Sequence, residues 1–232
     1  MKYYAIQQTE REATVAIYGD ITPYQWDESD VSAYSITQEI KGLDVDVINV
    51  RINSCGGSVA EGWAIYNALK AHPAKVKTFA DGFVASAAVY PFLAGTERIA
   101  NSVSAFYLHQ VLTSVTGNAD DLRKAADELE TLNAIGLKAF EDLGIDAEQL
   151  LQLQKAETWL TPAEALDLGI ATELQARADT QSVAMQIMQI LTEPRQKLEQ
   201  NAVEIDTQEQ PQKQEEEPIE GQITLQEFMN KF

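Results

Sequence analysis

Three runs rich in valine and isoleucine, each closed by a glycine turn, dominate the first half of this chain. They are Ala13–Tyr18, ending at Gly19-Asp20; Asp44–Ile52, broken by Ser54-Cys55-Gly56-Gly57; and Val76–Ala80, closed by Asp81-Gly82. Branched side chains with period two mark strands, and Gly-containing breaks mark their ends. Between these runs the apolar period lengthens to that of a helix, over Ser32–Ile40, Val59–Ala71 and Ala85–Ala94. Short strands follow in Arg98–Leu108 around Asn101-Ser102, then a long helix over Asp120–Leu143 that stops at Gly144, and a helix over Asp146–Lys155. Thr161-Pro162-Ala163-Glu164 carries a helix start: a hydroxyl cap, Pro at the first helical position and a capping-box Glu; that helix ends at Gly169. Strand–helix alternation of this kind implies an α/β fold, with parallel strands joined by crossover helices.

The chain changes character further on. Residues 1–176 are expected to form one domain and 177–194 a connecting helix, with Val183, Ile187, Ile190 and Leu191 at helical spacing. Residues 195–232 read as an acidic, mostly disordered tail, because Glu204–Gly221 is largely Gln and Glu and has too little apolar surface to offset chain ordering. Its last residues, ITLQEFMNKF, have the pattern of a small amphipathic anchor.

A formal charge of −19 argues against nucleic acid and against an anionic membrane surface, both of which call for Lys and Arg. One cysteine, Cys55, rules out an intramolecular disulfide. Met1–Gln8 lacks the apolar run of a signal peptide, and no window approaches a membrane span, so a cytoplasmic location is expected.

Four segments carry chemistry. Asn53-Ser54-Cys55-Gly56-Gly57-Ser58-Val59 sits between a strand and a helix, where adjacent glycines let backbone amides approach a negative oxygen. Ser86, in Gly82-Phe83-Val84-Ala85-Ser86-Ala87-Ala88, stands where a strand turns into a helix, so its hydroxyl faces a helix N-terminus. His109 ends the apolar run Phe106-Tyr107-Leu108. Of the two histidines it is the better base, since His72 precedes Pro73 in a polar turn and reads as a solvated loop residue. Glu157 precedes Thr158-Trp159-Leu160 and the capped helix, a place from which a carboxylate could orient a histidine. Singly, each has an ordinary structural explanation: a tight turn, a small packing residue, a core histidine, a surface charge.

In this order the four segments resemble the Clp protease proteolytic subunit family, and among its members the shorter phage prohead (head-maturation) proteases. Ile52-Asn53-Ser54-Cys55-Gly56-Gly57 matches the family's oxyanion loop with Cys for Pro, Gly82–Ala88 its nucleophile turn, Leu108-His109-Gln110 its base, and Glu157–Gly169 its late acidic pattern. The resemblance spans Ala13 to Glu173. It implies a ClpP/crotonase-type ββα superhelix with a protruding handle helix. It also implies a serine endopeptidase with Ser86 as nucleophile, His109 as general base and Glu157 as third member. The amides of Gly57 and Ala87 would form the oxyanion hole, and Ser58, Val59, Val111 and Leu112 would flank the substrate backbone. It calls for no metal and no cofactor. The implied partners are a polypeptide substrate, a capsid or scaffold protein among the candidates, and further copies of the chain in a homo-oligomeric ring. Twelve residues precede Ala13, so an ATP-driven unfoldase partner is not expected. The family's third member is usually Asp; Asp146 and Asp167 are the alternatives to Glu157. Two other functions stay open at this point: a crotonase-like enzyme binding acyl-CoA thioesters, and an inactive ring-forming scaffold.

Overall fold

The fold is described by a computed structural model covering residues 4–9, 11–23 and 32–175, all within the unit Met1–Asp179. The expected connecting helix over 177–194 and the acidic tail over 195–232 lie outside the described residues.

An eight-stranded sheet forms the centre. Strands β1 (Tyr4–Gln8) and β2 (Glu12–Tyr18) are antiparallel. β2 then runs parallel to β3 (Val47–Ser54), β3 to β4 (Lys75–Ala85), and β4 to β5 (Glu97–Ala100). The edge is completed by β8 (Glu173–Leu174), parallel to β5. Helices α1 (Ala33–Lys41) and α2 (Val59–Ala71) make the crossovers the alternation predicts. In β3 the alternation is literal: Ile48, Val50 and Ile52 are fully buried, with more exposed neighbours between them. They share one core with Ile36 and Ile40 of α1 and Ile65 and Leu69 of α2. Each such side chain contributes about 1.5–3 kcal/mol of burial.

The sequence expectation ends the third strand at Asp81-Gly82, and the structure carries β4 straight through to Ala85. The dipeptide is instead where β4 changes partner. Lys77–Ala80 pairs with β5, and Phe83–Ala85 pairs with β6 (Ala105–Leu108). Asp81 does not break the strand because its carboxylate is fully engaged. It accepts from Tyr18 Oη at 2.6 Å, from Arg51 Nε and Nη2 at 2.7 and 2.5 Å, and from Asn101 Nδ2 at 2.8 Å. At Gly82 a side chain would run into the Asn53 amide oxygen, which accepts from the Phe83 N–H, so a larger residue would have to displace that bond.

Beyond β4 the chain makes a 3₁₀ turn (Ser86–Ala88), the short helix α3 (Val89–Leu93), β5 and β6, and then the long α4 (Ala119–Glu141). Helix α5 (Ala147–Lys155) leads into β7 (Thr158–Leu160), antiparallel to β6. Helix α6 (Pro162–Asp167) starts with the expected capping box: Thr161 accepts from the Glu164 N–H, and the Glu164 carboxylate accepts from the Thr161 N–H. Arg98 is 7 % exposed, and among the described residues no carboxylate pairs with it. Its guanidinium donates to the carbonyls of Ile170, Gly95 and Gly169 at 2.7–2.9 Å, tying the α6 exit to β5. His72 is half-buried rather than solvated: its ring contacts the Leu43 carbonyl and accepts from the Ala74 N–H, closing the end of α2.

Candidate active site

The local fold that aims Ser86 comes first. β4 ends at Ala85, and the next residue is forced to φ 55° before the 3₁₀ turn can begin. Among the described residues only Ser86 and Glu157 (φ 50°) are non-glycines in the left-handed region. Such conformations cost on the order of 1 kcal/mol or more and cluster at functional sites. Ala87 occupies the second position of the turn, where a backbone N–H has no intrahelical acceptor.

The glycine loop packs directly against this turn. A Cβ on Gly56 would lie 2.5 Å from the Ala85 carbonyl oxygen and 2.8 Å from the Ala87 nitrogen. A Cβ on Gly57 would overlap the Ile21 carbonyl oxygen. Ile21 bridges the loop from the other side, donating to Gly56 O at 2.8 Å and accepting from the Ser58 N–H at 2.7 Å. That ladder leaves over the N–H of Gly57. Gly62, one turn into α2, has the Ala87 carbonyl oxygen 2.7 Å from where its Cβ would be, so helix and nucleophile turn are in backbone contact.

His109 follows β6 directly, and its Nε2 lies 2.6 Å from Ser86 Oγ. Because β4 and β6 are parallel neighbours, with Ala85 opposite Tyr107, the residues just past that pair are brought side by side. A neutral imidazole at this distance accepts the serine proton, the first requirement of base-assisted attack.

Glu157 is on the adjoining strand. β6 and β7 pair Leu108 with Thr158, so continuing the register by one residue sets Glu157 opposite His109. Its carboxylate, however, accepts from Tyr107 Oη at 3.5 Å. Tyr107 and His109 are two apart on one strand and share a face, their rings 5.4 Å apart. The glutamate arm, one carbon longer than aspartate, reaches past the histidine to the phenol. Desolvation and then the Glu157 carboxylate push the Tyr107 phenol above its ordinary value. Of the alternatives, Asp146 caps α5 by accepting from the Gln149 N–H at 2.7 Å, and Asp167 is exposed at the end of α6.

Ser86, His109, Gly57, Ala87, Ser58, Val59, Val111 and Leu112 all line one cavity of about 400 Å³. Two groups expected to meet a substrate backbone are already engaged. The Ser58 N–H donates to Ile21 O, and the Val111 N–H donates to Asn133 Oδ1 of α4 at 2.7 Å. Tyr90, Phe140 and Gln154 also line the cavity and lie outside the four motifs; Gln154, on α5, is 6 % exposed. Gln154 falls four residues after the buried Leu150, so helical period alone assigns it to the inner face. No described helix is long and apolar enough to cross a membrane.

The arrangement has close counterparts among known proteins. A family profile described as Clp protease matches residues 7–178. The chain is 33 % identical over 137 residues to the ATP-dependent Clp protease proteolytic subunit 2 of Mycolicibacterium paratuberculosis, covering 57 % of this chain and 68 % of that one. It is 35 % identical over 122 residues to proteolytic subunit 3 of Rhodococcus jostii, covering 51 % and 60 %. Among solved structures, a ClpP1 mutant from Listeria monocytogenes superposes with a TM-score of 0.61 at 26 % identity, covering 72 % of this chain and 92 % of that one. A profile match across nearly the whole described domain, on a fold whose strand crossings bring serine and histidine together, has one reading: the chain belongs to the Clp protease family.

Proposed function

We propose that this chain is a serine endopeptidase in which Ser86, His109 and Glu157 form the triad and the amides of Gly57 and Ala87 form the oxyanion hole. The observation that carries the reading is the 2.6 Å contact of Ser86 Oγ with His109 Nε2, in a cavity that Gly57 and Ala87 also line. In the first half-reaction the Ser86 proton passes to Nε2 as Oγ bonds to the scissile carbonyl carbon. The carbonyl oxygen becomes an anion facing the Gly57 and Ala87 amides. Collapse expels the amine, which takes the proton from His109 and leaves an acyl-serine. Water, deprotonated by His109, then releases the acid and restores the hydroxyl. Glu157 would hold the imidazole once its carboxylate turns from Tyr107 to Nδ1. A thioester-binding oxyanion site has no need of the serine–histidine contact.

Covalent labelling by a fluorophosphonate, read by intact mass, tests this. Wild type should gain one adduct, and Ser86→Ala and His109→Ala should gain none. Glu157→Gln should label more slowly, by up to about ten-thousandfold. An unlabelled wild type would refute the reading in favour of a thioester-binding or scaffold role.

The chemistry needs no nucleotide, so peptide cleavage should proceed without ATP. Further copies of the chain would form a homo-oligomeric ring that encloses the sites and admits flexible polypeptide. The resemblance to phage prohead proteases and the Gln- and Glu-rich residues 195–232 together favour cleavage of capsid or scaffold protein during head maturation, in a host cytoplasm. Deleting residues 195–232 should leave peptide cleavage intact and abolish incorporation into proheads; unchanged incorporation would exclude a targeting role for that segment.

A further inference from the structure

The cavity behind Ser86 is apolar over most of its wall, where Val89, Tyr90, Leu108, Leu112 and Phe140 contribute lining. Gln154 interrupts it. The residue is 94 % shielded from solvent, and its Oε1 has no hydrogen-bond partner, the only buried side-chain polar atom so placed among the described residues. An orphaned amide oxygen of this kind costs about 1–3 kcal/mol. Leucine or methionine at 154 would avoid that cost while filling the same space, since the position sits four residues after the buried Leu150 on the inner face of α5. The backbone of Gln154 is also tied to the site: its carbonyl accepts from the Glu157 N–H at 3.2 Å, holding the strained residue beside His109. The unmatched amide therefore lies in the wall of the space that an attacked residue's side chain would enter.

Resting on the serine-peptidase reading above, we infer that Gln154 selects the substrate residue whose carbonyl Ser86 attacks, favouring a neutral carboxamide side chain, Gln or Asn. The terminal torsion of a glutamine is soft, so either Oε1 or Nε2 can be turned toward the lumen. A carboxamide carries both a donor and an acceptor and pairs with either. A Lys or Arg in the same position would bury a charge against an apolar wall with no lining carboxylate to neutralise it. An aliphatic side chain would fill the pocket and leave the Gln154 amide unmatched.

Fluorogenic peptides identical except at the attacked residue, Gln in one and the similarly shaped Met in the other, test the inference. Wild type should cleave the Gln peptide with a kcat/KM about tenfold above the Met peptide, the factor that one matched buried hydrogen bond supplies. Gln154→Met should bring the ratio to one or below, while its thermal midpoint stays at or above wild type because the orphaned amide is gone. A wild-type preference for Met, or a ratio unchanged in Gln154→Met, would overturn the inference and leave the peptidase reading intact. Absence of labelling in wild type would overturn both.

Discussion

Replacing Gly57 by alanine separates the architecture of the oxyanion loop from its chemistry. The residue has φ 136°, and a methyl there overlaps the Ile21 carbonyl oxygen. If the loop stayed rigid, the overlap and the strained backbone would both have to be accommodated; the strain alone is about 1–3 kcal/mol. If the loop moves away, it gives up the Ile21 N–H to Gly56 O bond and the Ser58 N–H to Ile21 O bond. Those two are worth about 1 kcal/mol each. Hard-sphere overlap rises far faster than two hydrogen bonds are lost, so the loop moves. Stability should fall by about 2–3 kcal/mol, read from urea unfolding. The displaced Gly57 amide no longer meets the oxyanion, so fluorophosphonate labelling should slow by about a hundredfold or more. Gly144→Ala is the control: φ is 79° with nothing within 4 Å of its Cβ position, so it carries strain alone, about 1 kcal/mol, and labelling is untouched. Wild-type labelling by Gly57→Ala, or equal loss of labelling in both variants, would refute the loop argument.

Arg98→Met should destabilise the fold by about 2–4 kcal/mol in chemical denaturation, since three carbonyls lose their donor; a change near zero would show that they are hydrated. Tyr107→Phe should free the Glu157 carboxylate for His109 and raise the labelling rate, a gain absent when Glu157→Ala is added; a slower Tyr107→Phe would mean that the phenol itself positions the base. The Glu97 carboxyl is held below its ordinary value of 4.5 by hydrogen bonds to Lys75 and Lys77. A depressed carboxyl stabilises the folded state above its unfolded value and loses that contribution as the pH falls, so Glu97→Gln should lower the thermal midpoint at neutral pH, by an amount that shrinks as the pH falls below 4.5.

Elements with a strong period were legible in the sequence. Val59–Ala71 is a helix to the residue, and the Thr161 capping box is present with both of its bonds. What local pattern could not carry was long-range pairing. Asp81-Gly82 has the composition of a turn, yet Tyr18, Arg51 and Asn101 converge on Asp81 from other segments and hold the strand open to a second partner. The hairpin strand β1 has little apolar signal and exists through its register with β2. Ser86 and His109 were readable because each ends a strand, and parallel pairing brings such ends together. The direction of the Glu157 carboxylate was not, since it turns on the length of one side chain and on a tyrosine two residues from the base. Gln154 was hidden by its chemistry: its place four residues after Leu150 fits the inner face, but its amide gives no apolar signal to mark it as lining.

Trp159 stacks on Tyr107 with ring centroids 4.6 Å apart, and Tyr107 in turn lies against His109. Trp63, by contrast, packs edge-on against Tyr90. The indole at 159 thus reaches the base through a single phenol packed between them, and half of it is open to solvent. Its emission should therefore change when a peptide enters the cavity and displaces water from the stack, a gauge of the centre that needs no dye and no turnover.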